Sequence, residues 1–427
     1  MLDIRTLRND PETARRKWAS RGLDVDVDAL LALDDRRRAA ITEVEALQRQ
    51  RNEESKRIGQ LKKAGENADG AMSAVREIGQ KISALDKERD EAEIGLAEQL
   101  MGLPNFPHDS VPVGADESAN PVIRSWGQAP EQDFEPLAHW DLAEQLGIFE
   151  FQRAAALSGA GFSCLTGAGA RLSRALISFM LDLHTTEHGY TEVNAPYLVN
   201  DEALRGTGQL PKFAEDLYRL PADNLWLIPT AEVPLTNLYR DHIFEGELPV
   251  NLTAHTPCFR REAGAAGKMT RGMNRLHQFD KVELVKFVKP SESYEALETL
   301  TGHAEAVLQK LGLHYRVITL CTGDMGFASA KTYDIELWAP GQKAWLEVSS
   351  CSNFEDYQAR RARIRYRNEN GKPELVHTLN GSGVALPRLI VAILEQNQQA
   401  DGSVLIPEAL RPYMGGLERI EAVMPHG

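Results

Sequence analysis

Two runs of residues near the N-terminus space their seam positions alternately by three and four residues, which is the pattern of a coiled coil. The first run follows Leu30, Leu33, Arg37, Ala40, Val44, Leu47, Arg51, Glu54, Ile58 and Leu61, and the second follows Ala71, Val75, Ile78, Ile82, Leu85, Arg89, Ala92 and Leu96. A short turn over residues 64–70, rich in Gly, Asn and Asp, separates them. The pattern therefore predicts an antiparallel helical hairpin about 45 Å long.

The distal part of this hairpin is basic, although the chain as a whole is acidic. The end of the first helix contains Arg49, Arg51, Lys56, Arg57, Lys62 and Lys63 against Glu53 and Glu54, in a chain of net charge -14. Such a balance argues against a generally basic nucleic-acid binder, but electrostatic steering depends on where charge lies. A solvated coiled-coil face and an arm that follows a nucleic-acid backbone both explain the local charge.

Composition indicates a globular protein, and the 427 residues suffice for about two or three domains. Four scattered cysteines without CxxC or Cys/His spacing argue against structural zinc and a disulfide framework, and they favour a reducing compartment. Residues 1–18 lack the apolar core of a signal or transit peptide, and no apolar run approaches the length of a membrane span. We therefore expect a cytoplasmic protein with no membrane partner.

A change in composition divides the chain behind the hairpin. Residues 102–120 are rich in Pro, Gly and polar residues, which ends the hairpin and marks a domain boundary. The predicted organisation is an N-terminal domain over 1–103 with its arm at about 28–100, a linker over 104–120 and a second domain over 121–427. In the second domain, short strand-like runs alternate with amphipathic helices, including one from Arg171 to His188.

The run from Pro257 to Phe287 predicts a β-hairpin with an unusually polar face. Because side chains alternate along a strand, the second arm places Arg275, His277, Phe279, Lys281 and Glu283 on one side and Leu276, Val282 and Leu284 on the other. Guanidinium groups bind phosphate, aromatic rings stack on bases, and carboxylates bind ammonium groups. The face fits a nucleoside triphosphate together with an amino acid, and a solvated sheet face with salt bridges is the alternative.

The segment YDIELWAPGQKAWLEVSS predicts two strands around a turn at Pro340 and Gly341. Alternation places Asp334, Glu336 and Trp338 on one face, and Trp345, Glu347 and Ser349 on one face of the partner strand. Carboxylates on adjacent strands repel each other unless a cation or a donor lies between them. Glu347 with a nearby hydroxyl is therefore a candidate for binding a hard cation, and pairing with the arginines of QARRARIRYR is the structural alternative.

Two further segments place polar residues at the ends of predicted helices. WLIPTAEVPLTNLYR puts Thr230 and Glu232 where a strand gives way to a helix, so helix capping is their alternative role. HTLNGSGVALPRLIVAILEQ predicts a buried helix that begins at Ser382 or Gly383, with Pro387 in or near its first turn. Arg388 follows among apolar residues and needs an anionic partner.

Together these segments resemble the seryl-tRNA synthetases of the bacterial, class II type, over almost the whole chain. The matching segments are MLDIRTLRNDPETARRKWASRG, GTGQLPKF, TAEVPLTN, TPCFRREAG, RGMNRLHQFDKVE, LEVSSCSNFEDYQARRARIR and LNGSGVALPR. Each is short, but their order and spacing are highly specific. The resemblance implies an α+β fold, in which an antiparallel sheet flanked by helices follows a coiled-coil hairpin that grips tRNA.

The resemblance implies that L-serine and ATP form seryl-adenylate, and that the seryl group is transferred to tRNA(Ser) and, as is common in this family, to tRNA(Sec). It also implies Mg2+ with the ATP and a homodimer. The dimer would form through the helix from Arg171 and the strand through Pro196, whose apolar stripe and edge proline suit a twofold association. A ligase for a carrier protein and a non-catalytic paralogue are the alternatives, against which the matched heptads and the full set of phosphate-binding positions argue.

Carried over position by position, the family's motifs imply roles for individual residues. Arg260, Arg275 and Arg388 would be catalytic, with Arg260 on the α-phosphate and the serine carboxylate and Arg388 on the γ-phosphate. Phe279 would stack on adenine, and Glu283 would bind the serine ammonium. The other implied positions are Thr230, Ala231, Glu232, Asn380 and Ser382 for serine, Arg261, Glu262, Glu347, Val348, Ser349 and Ser350 for ATP, and Glu347 with Ser350 for the metal. Arg261 stands where the family often has Ser, and we expect its side chain to point outward.

Overall fold

The computed structural model describes residues 1–246, 248–263 and 271–422. These residues divide into two compact units between Leu103 and Pro104. The first unit is built from helices α1 (Ile4–Asn9), α2 (Pro11–Ser20), α3 (Val27–Ala64) and α4 (Asp69–Met101). The side chain of Asp26 caps α3 by accepting from Ala29 N, and Gly65 ends α3 with a φ of 74°, a conformation that favours glycine.

Helices α3 and α4 pack against each other, which confirms the predicted hairpin. The seam positions of both runs are buried or half-buried, whereas most positions between them are exposed. The 38 residues of α3 make it about 57 Å long, more than the expected length, partly because the helix extends three residues beyond the seam at each end. Periodicity did not reveal Asp34, which is buried beside Arg8 Nη2 at 2.6 Å and Arg37 Nη2 at 2.9 Å.

The second unit alternates short helices and strands. Its helices are α5 (His139–Leu146), α6 (Phe151–Ser158), α7 (Gly167–Thr186), α8 (Asp201–Thr207), α9 (Glu232–Asn237), α10 (Ser293–Lys310), α11 (Tyr357–Ala362) and α12 (Leu386–Asn397). Its strands are β1 (Val122–Trp126), β2 (Thr191–Glu192), β3 (Leu198–Val199), β4 (Arg219–Leu220), β5 (Leu225–Leu227), β6 (Ile243–Phe244), β7 (Val250–Phe259), β8 (Gln278–Val288), β9 (Tyr315–Thr319), β10 (Lys331–Ala339), β11 (Ala344–Asn353), β12 (Arg365–Arg367), β13 (Pro373–Leu375), β14 (His377–Ala385), β15 (Val404–Leu405) and β16 (Arg419–Ile420).

The largest sheet within the described residues has eight strands in the order β1-β9-β10-β11-β14-β8-β7-β2. Its neighbours are antiparallel except for the edge pair of β2 and β7. Strands β7 and β8 pair from Val250 opposite Phe287 to Phe259 opposite Gln278, so the two arms of the predicted hairpin are present. The prediction for its connection falls partly on residues 264–270, which lie outside the described residues.

The main hydrophobic core lies between one face of this sheet and helices α7, α10 and α12. It joins Val282 and Leu284 of β8 to Leu300 of α10 and Ile390 of α12. The apolar stripe of α7, formed by Leu172, Leu176, Phe179, Met180 and Leu183, is buried in this same core. The expectation that the stripe serves a twofold association is therefore wrong, because the chain's own sheet already covers it.

Residues 104–120, predicted as a linker, pack on the second unit. Asn105 N donates to Phe327 O at 2.9 Å, and Asn105 Nδ2 donates to Phe354 O at 2.9 Å. His108 N donates to Ala330 O at 2.8 Å. Within the described ranges, every helix is too short or too polar to cross a membrane.

Candidate active site

A cavity of about 780 Å³ opens on the face of the sheet opposite to the α7 and α12 core. Most of the residues that the sequence singled out line it: Thr230, Glu232, Arg260, Glu262, Arg275, Phe279, Glu283, Glu347, Val348, Ser350, Asn380, Ser382 and Arg388. Ala231, Arg261 and Ser349 are absent from its lining. The structure thus brings together residues that lie up to 158 positions apart in the chain.

Strand β8 contributes its polar face to the cavity, as alternation predicted for Phe279, Lys281 and Glu283. Arg275 also lines the cavity, but it precedes the strand, which begins at Gln278. The placement of His277 on the same face is wrong. Its ring lies near Phe162, with centroids 5.5 Å apart, and its Nδ1 is 3.0 Å from Arg260 O, because alternation holds only after pairing with β7 begins.

Two arginines enter the cavity from the end of β7 and from the segment before β8. Arg260 Nε donates to Pro229 O at 3.3 Å, and the guanidinium carbon lies 5.2 Å from the centroid of Phe279. Arg275 Nη1 donates to Glu262 Oε2 at 3.0 Å. Arg261 is exposed and its backbone N donates to Asp216 O, so its side chain points outward as expected. Because Arg261 does not line the cavity, the structure does not support its assignment to ATP.

Glu283 is fully buried at the floor of the cavity and is surrounded by donors. Asn380 Nδ2 donates to its Oε1 at 3.0 Å, and Lys281 Nζ lies 2.6 Å from its Oε2. The same Lys281 Nζ donates to Thr230 Oγ1 at 3.0 Å. A buried carboxylate needs such partners. The sequence placed Lys281 on the polar face without a role, and the alternation of β8 was the signal that could have identified it.

Glu232 begins α9 and is buried beside the same cavity. Gln358 Nε2 donates to its Oε1 at 2.6 Å, and Thr378 Oγ1 fixes Gln358 by donating to the amide oxygen at 2.8 Å. Burial, followed by repulsion from the Glu283 carboxylate, raises the pKa of Glu232 from 4.5 to about 7. Gln358 was missed by the sequence reasoning, since nothing in its local pattern distinguishes it from a surface amide.

The raised pKa of Glu232 predicts a pH-dependent stability that Glu232→Gln removes. Because the folded-state pKa lies near 7 and the ordinary value is 4.5, the contribution is fully present below pH 4.5 and is lost as pH rises through 7. The free energy of unfolding of the unaltered chain should therefore fall, relative to the variant, by about 3 kcal/mol between these limits. Urea unfolding of both proteins across this range measures the difference, and parallel pH profiles would contradict it.

A bulge in β11 changes which side chains face the cavity. Ile335 pairs with Ser349 but Glu336 pairs with Glu347, so Val348 is an extra residue in the ladder. Glu347 and Ser350 line the cavity, whereas Ser349 is buried and its Oγ donates to Ser382 O at 2.6 Å. The predicted sharing of one face by Glu347 and Ser349 is wrong, because the inserted residue shifts the alternation by one.

Arg388 reaches the cavity from the first turn of α12. Its Nη1 donates to Glu347 O at 2.6 Å and its Nε donates to Asn274 O at 3.1 Å. The helix begins at Leu386, with Pro387 in its first turn. The predicted start at Ser382 or Gly383 is wrong, because both residues lie within β14, in which Ser382 pairs with Glu283 and Val384 with Val282 of β8.

The oxygen atoms beside Arg388 suit a metal ion that takes only some of its ligands from the protein. The described residues contain no group of three or more His, Cys, Asp and Glu side chains placed to hold a metal by themselves. The Glu347 carboxylate and the Ser350 hydroxyl face the cavity, and the buried Asp334 Oδ1 has no hydrogen-bond partner among the described residues. Burial, followed by the nearby Glu347 charge, raises the pKa of Asp334. Such a set fits Mg2+, which keeps waters and substrate phosphates as ligands.

Comparison with known proteins gives consistent matches over both units. The model of the seryl-tRNA synthetase N-terminal domain matches residues 1–107, and that of the class II tRNA synthetase core domain for G, H, P, S and T matches residues 217–397. The serine–tRNA ligase of Exiguobacterium sibiricum is 55% identical over 424 residues, which cover 99% of this chain and all of the relative.

Two solved structures share the complete fold. Seryl-tRNA synthetase from Pyrococcus horikoshii, complexed with ATP, is 40% identical with a TM-score of 0.94 and covers 99% of this chain and 100% of its own. The cytoplasmic serine–tRNA ligase of Naegleria fowleri, in complex with AMP, is 29% identical with a TM-score of 0.90 and covers 99% of each chain. By identity and coverage along its full length, the chain belongs to the serine–tRNA ligase family of class II aminoacyl-tRNA synthetases.

Proposed function

We propose that this chain performs the reaction of its family through the cavity residues described above, with L-serine, ATP and tRNA(Ser) as substrates. The main support is the juxtaposition, in one cavity, of the buried carboxylates of Glu232 and Glu283 with the guanidinium groups of Arg260, Arg275 and Arg388. Buried acidic groups suit the ammonium and hydroxyl of serine, and guanidinium groups suit a triphosphate. We extend the proposal to tRNA(Sec) and to a cytoplasmic location.

In the first step, a serine carboxylate oxygen attacks the α-phosphorus of ATP and pyrophosphate leaves, giving seryl-adenylate. In the second, the terminal ribose hydroxyl of the tRNA attacks the seryl carbonyl carbon and AMP leaves. Alignment of the reactants and neutralisation of charge account for most of the acceleration, because both substrates bring their own nucleophile.

The ATP side of the cavity is formed by arginines around Phe279. Adenine stacks on the Phe279 ring, and the adjacent Arg260 guanidinium then holds the α-phosphate and the serine carboxylate. Glu262 holds Arg275 in place, so this second guanidinium is ordered before the nucleotide arrives. Arg388 is anchored by backbone carbonyls of Asn274 and Glu347, and its charge faces the γ-phosphate.

The serine side is formed by Glu283 and its neighbours. Glu283 accepts the serine ammonium while Asn380 keeps the carboxylate oriented. Thr230, Glu232 and Ser382 surround the side chain of serine. Because alanine would leave these buried polar groups unpaired, we expect strong selection against it.

Glu347 and Ser350 would hold Mg2+ together with the nucleotide phosphates. When bound there, the ion neutralises phosphate charge. Asp334, whose pKa is raised by burial and by the Glu347 charge, lies near Glu347. The guanidinium of Arg388, whose Nη1 lies 3.7 Å from Glu347 Oε2, partly offsets the charge of Glu347.

We assign tRNA binding to residues 1–103 and catalysis to 121–427, on which residues 104–120 pack. Arg49, Lys56, Arg57, Lys62 and Lys63 of the arm are exposed, which suits contact with an RNA backbone. We also propose a homodimer formed through the sheet edge at β2, where Thr191 and Glu192 are exposed and Pro196 follows.

Serine-dependent exchange of pyrophosphate into ATP, followed by charging of total tRNA, tests this function. Both activities should depend on serine and be absent with alanine. Exchange without charging would instead indicate a carrier-protein ligase, and the absence of exchange would refute the enzymatic role.

Glu283→Gln provides the specificity arm of the same test. The substitution keeps the shape of the side chain but removes the charge that binds the ammonium, so the KM for serine should rise by about 100-fold or more. The KM for ATP should change by less than about threefold, because Glu283 is assigned to the serine ammonium and not to the triphosphate. Equal increases for both substrates would contradict the proposed role.

A further inference from the structure

A buried carboxylate two helical turns beyond Arg388 is linked to several elements of the ATP side. Glu395 lies on α12, seven residues after Arg388 and hence on a similar face of the helix. Its side chain and that of His139 are both fully buried. Glu395 Oε1 accepts from His139 N at 2.9 Å and from Gln342 Nε2 at 2.8 Å, and Oε2 accepts from Gly341 N at 2.9 Å. Neither residue lines the cavity.

His139 connects Glu395 to the segment that precedes Arg275. Met273 N donates to His139 Nε2 at 2.9 Å. That nitrogen must therefore be unprotonated, which leaves the proton on Nδ1, 3.2 Å from Glu395 Oε1. The ring lies so close to Gly272 that a Cβ there would be 2.1 Å from Nε2, and Gly272 has a φ of +68°. The backbone of this turn is thus shaped around the imidazole.

Gln342 makes a second link between the same carboxylate and the same segment. Its Nε2 donates to Glu395, and its Oε1 accepts from Asn274 Nδ2 at 2.7 Å. Asn274 O in turn accepts from Arg388 Nε at 3.1 Å. Since Gln342 lies in the turn before β11, the strand that contains Glu347 is tied to the same point.

We propose that Glu395 and His139 are positioning residues that hold the Arg275 segment, β11 and Arg388 in mutual register for the triphosphate. This inference rests on the proposed phosphate roles of Arg275 and Arg388. Loss of the buried acceptors releases Met273 N and the Asn274 side chain, so the carbonyl that orients Arg388 shifts. Displacements of about 1 Å in such positioning groups reduce rates by about 100-fold.

The test compares Glu395→Gln, His139→Phe and His139→Gln in steady-state pyrophosphate exchange. In Glu395→Gln, an amide NH2 group replaces one carboxylate oxygen and faces N–H donors that it cannot accept from. His139→Phe removes the acceptor for Met273 N while retaining a ring. Both should raise the KM for ATP by about tenfold or more and leave the KM for serine within about twofold. His139→Gln still offers an oxygen near the position of Nε2 and should recover most of the ATP affinity.

Glu305→Gln is the matched control, because Glu305 is a buried carboxylate that accepts from Arg124 Nη2 at 2.7 Å and Tyr315 OH at 3.0 Å, away from the cavity lining. It should lower the melting temperature without changing the KM for ATP. The inference is overturned if folded His139→Phe keeps the ATP affinity of the unaltered chain, or if His139→Gln is no better than His139→Phe. If the unaltered chain itself shows no serine-dependent exchange, the proposed function fails independently of these variants.

Discussion

Arg260→Ala should reduce serine-dependent pyrophosphate exchange by about 100-fold to 1000-fold in kcat, as expected when a donor to developing charge is removed from a closed site. The guanidinium lies over Phe279 and is oriented by Pro229 O. In the proposed function it binds both reacting groups from there, the α-phosphate and the serine carboxylate. The rate constant for adenylate formation, measured by rapid quench at saturating ATP and serine, checks this.

Arg261→Ala is the control, because it removes the same side chain and the same charge at the neighbouring position. Arg261 is exposed and points away from the cavity, so its removal should change the same rate by less than about twofold. If the two variants lose similar activity, the assignment of Arg260 to the reacting centre is wrong.

Replacing residues 33–92 by a short linker should leave adenylate formation within a few-fold of the complete chain and reduce tRNA charging by about 1000-fold or more. The removed residues belong to α3 and α4, which pack on each other, while the cavity is built from the second unit. Contacts between basic side chains and phosphates supply much of the affinity for RNA, so their loss weakens the second step. Exchange and charging assays on the same preparation measure both steps.

A charge-reversal variant separates loss of contact from loss of structure. Lys56, Arg57, Lys62 and Lys63 are exposed at the distal part of α3, so changing them to Glu should keep the helices and still reduce charging, with a KM for tRNA that depends less steeply on salt. Full charging by either protein would show that the arm does not contribute to tRNA binding.

Local sequence patterns predicted the structure correctly wherever it depends on a single helix or strand. The heptad seams predicted α3 and α4 because the spacing of three and four is a property of a single helix. The alternation of β8 likewise placed Phe279, Lys281 and Glu283 on one face. Short motifs matched to a family added the proposed roles of Arg260 and Arg388, which alternation could not supply and which stay predictions.

Prediction failed where an irregularity or a distant partner intervenes. The bulge at Val348 reversed the side on which Ser349 lies, and the pairing of β14 with β8 delayed the start of α12 to Leu386. Neither feature has a signature in composition. The stripe of α7 was identified correctly as apolar, but its pattern could not distinguish a subunit contact from the chain's own core.

The sequence by itself determined the helical hairpin, the polar face of β8 and the family, since each depends on residues close together in the chain or on motifs read in order. Only the tertiary structure decided the partners of the buried groups. Gln358 meets Glu232 from 126 residues away, and Glu395 meets His139 from 256 residues away. Such pairings arise when the sheet brings distant segments into one site, because burial of a carboxylate then requires a donor that no local pattern specifies.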